Sequence, residues 1–226
     1  MMSRILDIIF SGIGLVVLIP LLVPLCILLR FTGEGQVFFV QKRVGRNEKV
    51  FGLIKFATML LDSPNIGTGT LTVKNDPRIL PIGNFLRKTK FNELPQLLNI
   101  LFGDMSIIGP RPQTLRCFQA FPKVIHSTIS SVRPGLSGIG SIIFRDEDNL
   151  LDSSNDPNYF YDKVIMPYKG DLEGWYVKRR NIAIDLTLIL LTLWVVLFPK
   201  SKIAWRLFPD LPLPPDGLFD LPVKKA

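Results

Sequence analysis

A chain of 226 residues has room for one domain of ordinary size, or one domain with appendages. It is 47% hydrophobic with a mean hydropathy of +0.30, and 27 Lys and Arg against 19 Asp and Glu leave a net charge of +8. That balance points to an anionic partner, such as a membrane surface, nucleic acid or a phosphorylated substrate, while two unspaced cysteines, Cys26 and Cys117, argue against a disulfide framework or a cysteine metal site.

No charged residue occurs between positions 8 and 29. As a helix such a run reaches about 30 Å, the thickness of a bilayer core. A cleavable signal peptide fits poorly, because Arg30 and Phe31 close the run and no small-x-small site follows. Pro20 and Pro24 lie four apart, on one helical face, and each removes a backbone hydrogen bond in mid-run, so a kink is expected there. Arg4 precedes the run and Arg30, Lys42, Arg43 and Arg46 follow it. A re-entrant helix keeps both basic flanks on the cytoplasmic side, which a straight span does not.

Residues 36–41 read as a strand, 42–47 as a basic turn and 50–56 as a second strand, a small antiparallel element. Residues 62–70 read as a loop that could act as a lid. Asp76-Pro77-Arg78 marks a turn, and Phe85, Leu86, Arg87, Lys88 and Lys90 are expected on helix.

Leu94, Leu97, Leu98 and Leu101 have the spacing of one apolar helical face. Pro95 belongs in a first turn, so this helix is expected to begin near Asn92, with Glu93 at its positive end. Such an end favours a carboxylate or a phosphate, and Arg87 stands just upstream. The plain alternative is that Asn92 is an N-cap. Gly103 is expected to end the helix, and Gly109-Pro110-Arg111-Pro112 then presents an arginine fork on a stiff backbone, suited to phosphate oxygens.

Further on, 137–144 reads as a glycine-rich loop and strand. Arg145-Asp146-Glu147-Asp148 reads better as a solvated helix start than as a second metal or sugar site. His126, the sole histidine, has no visible catalytic partner. An apolar run at 182–198 follows Lys178, Arg179 and Arg180 and contains Asp185 and Trp194. It is short for a span, and a central Asp costs about 2 to 3 kcal/mol, so an amphipathic interfacial helix fits better. Residues 208–222 read as an extended proline-rich tail. The division is therefore 1–32 membrane helix, 33–181 cytoplasmic catalytic domain, 182–200 interfacial helix and 201–226 tail, in a helix-rich α+β fold.

Five motifs occur in a fixed order: "QVFFVQKRVGRNEKVFGLIKF" at 36–56, "NDPR" at 75–78, "FLRKTKFNELPQ" at 85–96, "GDMSIIGPRP" at 103–112 and "RPGLSG" at 133–138. Together they resemble the bacterial sugar transferases, the monotopic polyprenyl-phosphate phosphoglycosyl transferases. The likeness runs from the N-terminal apolar segment to about residue 198. It implies an enzyme that moves a sugar-1-phosphate from a UDP-sugar donor to undecaprenyl phosphate at the cytoplasmic face of the bacterial inner membrane. UMP leaves, and the product starts an O-antigen, capsule, exopolysaccharide or glycoprotein glycan.

The resemblance further implies Mg²⁺ as cofactor and an Asp-Glu dyad at the positions of Asn92 and Glu93. In that dyad the Asp attacks phosphorus and the Glu helps bind the metal. Arg111 falls on a phosphate-contacting position, and Arg87 and Lys55 on basic active-site positions. Three residues depart from the pattern: Ile19 replaces a serine common before the helix proline, Ala57 replaces an arginine, and Asn92 replaces the nucleophile. An amide is a poor nucleophile toward phosphorus. Four readings follow: Glu93 as nucleophile, direct attack by the lipid phosphate, an engineered exchange of Asp for Asn, or a non-catalytic nucleotide-sugar binding or scaffold protein. A nucleic-acid-binding protein does not explain the apolar N-terminus, and membrane lipids are the expected surface partner. A homodimer is compatible with the sequence.

Overall fold

The computed structural model describes residues 2–66, 76–152, 156–199 and 201–219. A 29-residue helix, α1 (Met2–Arg30), runs through the whole apolar segment and continues past Pro20 and Pro24. Its inward stripe carries Arg4, Asp7, Ser11, Gly14, Leu18, Leu22, Leu25 and Leu29, in steps of three or four residues. That stripe lies on the rest of the protein from end to end. Near its start, Arg4 donates to the carbonyls of Ile100 and Leu101. Asp7, 5% exposed, accepts from the Ser106 hydroxyl at 2.8 Å and from the Ile107 amide at 2.9 Å. Near its end, Leu25 and Leu29 pack with Phe56 and Leu86. The opposite face, including Ile13, Val16, Val17 and Ile27, is exposed and apolar. Helix α1 is long and apolar enough to cross a membrane.

Asp7→Ala is expected to lower stability by about 2 to 3 kcal/mol, because the Ser106 hydroxyl and the Ile107 amide lose a charged acceptor in a buried place. Thermal unfolding in detergent measures this, and an unchanged midpoint would show that these bonds do not hold α1 down.

Strands β1 (Phe38–Val44) and β2 (Val50–Phe56) form an antiparallel hairpin, with Phe39 opposite Lys55 and Arg43 opposite Phe51. The second strand lies where its β-branched and aromatic residues place it. The first runs on through Lys42, Arg43 and Val44, so the basic turn shrinks to a short 3-10 segment, Arg46–Glu48. Side chains alternate along a strand, so Lys55 and Arg43 share one face of the hairpin.

Helix α2 (Pro81–Lys88) carries Arg87, while Lys90 lies beyond it in the left-handed region at φ 63°. The expected turn at Asp76-Pro77-Arg78 is present, with Arg78 forked onto the Asp76 carboxylate and bonded to the Ser63 and Ile66 carbonyls. Of the expected 62–70 loop, residues 63–65 form a 3-10 turn, and 67–70 lie outside the described residues, as does Asn75 of the NDPR motif.

Helix α3 (Gln96–Phe102) starts a turn later than the leucine spacing suggests. Its most buried residues are Gln96, Leu97, Asn99 and Ile100, whereas Leu94, Leu98 and Leu101 are half-buried. The polar Asn99 is inside because it mimics a strand edge: its amide donates to the Gly52 carbonyl at 2.8 Å, and its oxygen accepts from the Ile54 amide at 3.0 Å. Gly103, at φ 100°, closes the helix as its sequence suggests.

Strand β3 (Ser106–Ile108), helices α4 (Leu115–Gln119) and α5 (Lys123–Ser130), and strand β4 (Gly135–Ser137) follow. The β3–β4 pair is parallel, and a Cβ on Gly135 would lie 2.1 Å from the Gly109 nitrogen, so only glycine permits this approach. His126 bonds the Phe121 carbonyl at 2.9 Å, a structural role.

The expected strand at 137–144 is corrected: residues there form helix α6 (Ile139–Ile143). Its β-branched residues face the core of the C-terminal half, a tertiary packing that overrides strand propensity. Helices α7 (Glu147–Asp152) and α8 (Pro157–Phe160) lead through a π-turn, Tyr161–Ile165, into α9 (Met166–Arg179). Met166, Leu172 and Tyr176 of α9 are fully buried.

Helix α10 (Ile182–Leu197) buries Leu188, Leu191 and Val195 and exposes Leu190, Leu193 and Trp194. Asp185 faces the body, where it accepts from the Tyr176 hydroxyl at 2.7 Å. After α11 (Ile203–Leu207) the chain is no free extended tail. Leu211 and Leu218 are buried, the Trp175 indole donates to Asp210 at 2.8 Å, and the Tyr168 hydroxyl donates to the Pro212 carbonyl at 2.9 Å. Apolar residues between the prolines fold this segment back onto α9.

Candidate active site

Three side chains distant in sequence meet at Glu93. Lys55 arrives from β2, and its Nζ lies 3.8 Å from Glu93 Oε1. Arg111 arrives from the loop after β3 and donates to the same oxygen at 3.1 Å. Glu93 itself sits on a 3-10 turn, Phe91–Glu93, between α2 and α3. Arg87 rests near the Met59 sulfur at 3.7 Å, close enough that its charge acts on Lys55.

Burial alone would raise the Glu93 carboxyl, but Arg111 and Lys55 overcome it and hold Glu93 well below the usual carboxylate range. Lys55 is pushed down to about 7, mainly by burial, with Glu93 opposing the shift and Arg43, Arg111 and Arg87 adding to it. Among the described residues, Lys55 and Arg111 both meet the one carboxylate of Glu93, so the pocket carries more cationic groups than that carboxylate neutralises. Its excess of positive charge comes from side chains. The expected helix end plays no such part, since α3 spans seven residues and begins three positions after Glu93.

Asn92 is 6% exposed, and its Oδ1 is buried with no hydrogen-bond partner among the described residues. The N-cap reading is corrected, because Pro95 occupies that position of α3 and Asn92 makes no capping bond. A buried carbonyl oxygen without a partner is costly, so sites that keep one call for a functional account.

The loop carrying Arg111 is held on several backbone groups. The Pro110 carbonyl accepts from the Gly135 amide at 2.8 Å, the Pro112 carbonyl from Arg43 at 3.1 Å, and the Gln113 carbonyl from the Val44 amide at 2.8 Å. The Arg111 amide donates to Glu173 Oε1 at 3.3 Å. Arg43 is legible as part of a basic flank, a basic turn and the 36–56 motif, with no role assigned to it, and Glu173 carries no motif at all. Their roles follow from β1 and α9 closing on the same loop. Behind it, Lys169, 3% exposed, pairs with Glu147 at 2.6 Å and lies over the Phe144 ring. Glu147 is thus a partner of a buried lysine rather than part of a solvated helix start.

Burial raises the Glu173 carboxyl to about 7, against the Arg111 amide and the Lys169 charge. Between pH 4.5, the ordinary carboxyl value, and about 7, the folded protein keeps a proton that the unfolded chain has lost. Stability from this group is therefore expected to fall as pH rises through that window. Glu173→Gln should remove this slope, which melting midpoints of both proteins from pH 4.5 to 7 will test; parallel curves would refute the buried, proton-retaining carboxyl.

A family model described as "Bacterial sugar transferase" matches residues 1–199. The chain is 34% identical over 205 residues to a galactosyl transferase, CpsE, of Streptococcus agalactiae serotype III, covering 86% of this chain and 42% of that protein. It is 30% identical over 197 residues to the UDP-glucose:undecaprenyl-phosphate glucose-1-phosphate transferase of Escherichia coli K12, covering 86% of this chain and 40% of that one. An exopolysaccharide production protein, PSS, of Rhizobium leguminosarum is 37% identical over 147 residues, covering 62% and 73%. The chain spans about two fifths of the length of the first two relatives. With the family match running over residues 1–199 and two relatives of 30% identity or more each covering 86% of it, the chain belongs to the bacterial sugar transferase family.

Proposed function

We propose that this protein transfers a sugar-1-phosphate from a UDP-sugar to undecaprenyl phosphate at the cytoplasmic membrane face, releasing UMP. The observation that carries the reading is the meeting of Lys55 and Arg111 on one oxygen of Glu93, with Arg87 beside them and Asn92 next in the chain. Such a pocket binds a diphosphate and answers the charge that develops on it during transfer. The relatives' names, which describe glucose-1-phosphate and galactosyl transfer, agree with this class of reaction.

The residues present suit Mg²⁺. This ion takes one or two protein oxygens and leaves its other positions to water and substrate phosphates. The second oxygen of Glu93 and Asn92 Oδ1, which has no partner among the described residues, would hold it. When bound, the ion neutralises the diphosphate and stabilises the departing UMP. Lys55, Arg87 and Arg111 orient the donor phosphates.

Asn92 and the cation-held state of Glu93 favour direct transfer over an enzyme adduct. An oxygen of the lipid phosphate attacks the sugar-bearing phosphorus and forms the new P–O bond. The bond from that phosphorus to the bridging oxygen breaks, and this oxygen leaves on UMP.

A monotopic placement is supported by α1, whose two ends both rest on the same body. A span would carry one end across the bilayer and away from it. Leu6 and Phe10 of α1 and Ile182, Leu186 and Ile189 of α10 line one groove along β3, so the exposed apolar faces of both helices adjoin.

The second reading, a non-catalytic nucleotide-sugar binding protein, is favoured by Asn92 alone. UMP release by the purified protein, assayed with undecaprenyl phosphate, Mg²⁺ and a panel of UDP-sugars, separates the two. Release dependent on the lipid is expected; donor binding without release would favour the second.

A further inference from the structure

We propose that Glu173 is a positioning residue for the transfer, holding the Arg111 backbone so that its guanidinium stays aimed at Glu93 and the donor phosphates. This inference rests on the reading of the site as one of phosphosugar transfer and adds a residue to it.

The Pro-Arg-Pro tripeptide has one backbone donor, the Arg111 N–H, because proline nitrogens carry no hydrogen. Glu173 takes that donor from 62 positions away. It lies on α9 and is 3% exposed. An ion pair does not account for its presence: of the two cations whose charge acts on it, Lys169 is committed to Glu147 at 2.6 Å and to the Phe144 ring at 4.9 Å, and the Arg111 guanidinium to Glu93 at 3.1 Å. Nor does a saturated network, since Glu173 Oε2 is buried without a partner among the described residues. A carboxyl retained for stability alone would be expected to satisfy both oxygens.

Space has been left for it as well. A Cβ on Gly140 of α6 would lie 2.4 Å from Glu173 Oε1. Any larger residue at 140 drives the carboxyl off the Arg111 amide. On the loop's other side, Arg43 fixes the Pro112 carbonyl. Arg111 is thus held at its own N–H and, one residue on, at the Pro112 carbonyl, and its side chain reaches Glu93. If the grip at 173 loosens, the guanidinium loses its aim by a fraction of its length, a kind of misplacement that costs about 100-fold in rate.

The experiment uses the full chain in nanodiscs containing undecaprenyl phosphate. UMP release is measured with UDP-sugar and Mg²⁺ for wild type, Glu173→Ala, Glu173→Gln, Gly140→Ala and the Gly140→Ala/Glu173→Ala double variant, with melting midpoints for each. Glu173→Ala should lower kcat/KM about 100-fold, most of it in kcat. Glu173→Gln keeps an acceptor oxygen and should restore most of that loss. Gly140→Ala leaves the carboxyl intact but displaced and should match Glu173→Ala. The double variant should fall no further than either single change, because both act through one contact.

Should Glu173→Ala not fold, near-native kcat in Glu173→Gln beside a large loss in folded Gly140→Ala carries the same result. Unchanged kcat in folded Gly140→Ala, or additive losses in the double variant, would overturn the positioning role. Losses that merely track the folded fraction would overturn it too. Wild type that releases no UMP removes the underlying reading and this inference with it; wild-type turnover with insensitive variants removes the inference alone.

Discussion

Glu93→Gln is expected to abolish measurable UMP release, a loss on the order of 1000-fold, as for removal of a principal electrostatic group from a site. Two consequences combine. The variant loses a charged oxygen of the proposed Mg²⁺ site, and Lys55 loses the neighbour that favours its protonated form. Lys55 already sits at about 7 with Glu93 opposing the effect of burial. Without that carboxylate, burial and the charges of Arg43, Arg111 and Arg87 act unopposed, so Lys55 becomes neutral near physiological pH. A neutral amine cannot hold a donor phosphate as an ammonium does. Measured kcat/KM for the UDP-sugar, together with a melting midpoint that shows the variant folded, decides the matter. Full activity in folded Glu93→Gln would remove Glu93 from the site.

Asn92→Asp is expected to change the course of the reaction. The wild-type chain should release UMP only when undecaprenyl phosphate is present and should carry no phosphosugar. The Asp variant gains a charged oxygen where Asn92 Oδ1 now lies buried with no partner among the described residues, in a pocket rich in cations. Lys55 and Arg111, already paired with Glu93, and Lys90, whose charge also acts on it, offset the repulsion between adjacent carboxylates. An adduct of sugar-phosphate mass should therefore appear, together with exchange of labelled UMP into UDP-sugar without acceptor. Intact-protein mass spectrometry and the exchange assay measure both. An adduct on the wild-type protein would place the nucleophile at Glu93 and end the direct-transfer reading.

Much of this site was legible because its parts are local signals. A stiff Pro-Arg-Pro turn, a basic helix carrying Arg87 and Lys88 (Lys90, expected on it, falls beyond its end), and Asn92-Glu93 ahead of Pro95 each occupy a few adjacent residues. Their convergence was available only through the resemblance, since Lys55, Glu93 and Arg111 stand on a strand, a 3-10 turn and a loop. Elsewhere periodicity misled. Pro95, expected in a first turn, stands at the N-cap of α3, so the helix starts a turn later, and Asn99 goes inward to bond β2 where the leucine spacing 94-97-98-101 marked the apolar face. The β-branched run at 139–143 reads as strand by propensity and is helical because α9 and α10 cover it.

From the sequence alone came the membrane-length apolar helix, the β-hairpin, the glycine end of α3 and the membership of a motif set, since these depend on hydrophobic runs, propensity and neighbours in the chain. Tertiary structure decided that α1 lies along the body at both ends, that Asn92 Oδ1 is buried with no partner among the described residues, and that Glu173 accepts from the Arg111 backbone. Those depend on how segments 60 to 100 residues apart pack against one another, which a pattern of adjacent residues does not encode.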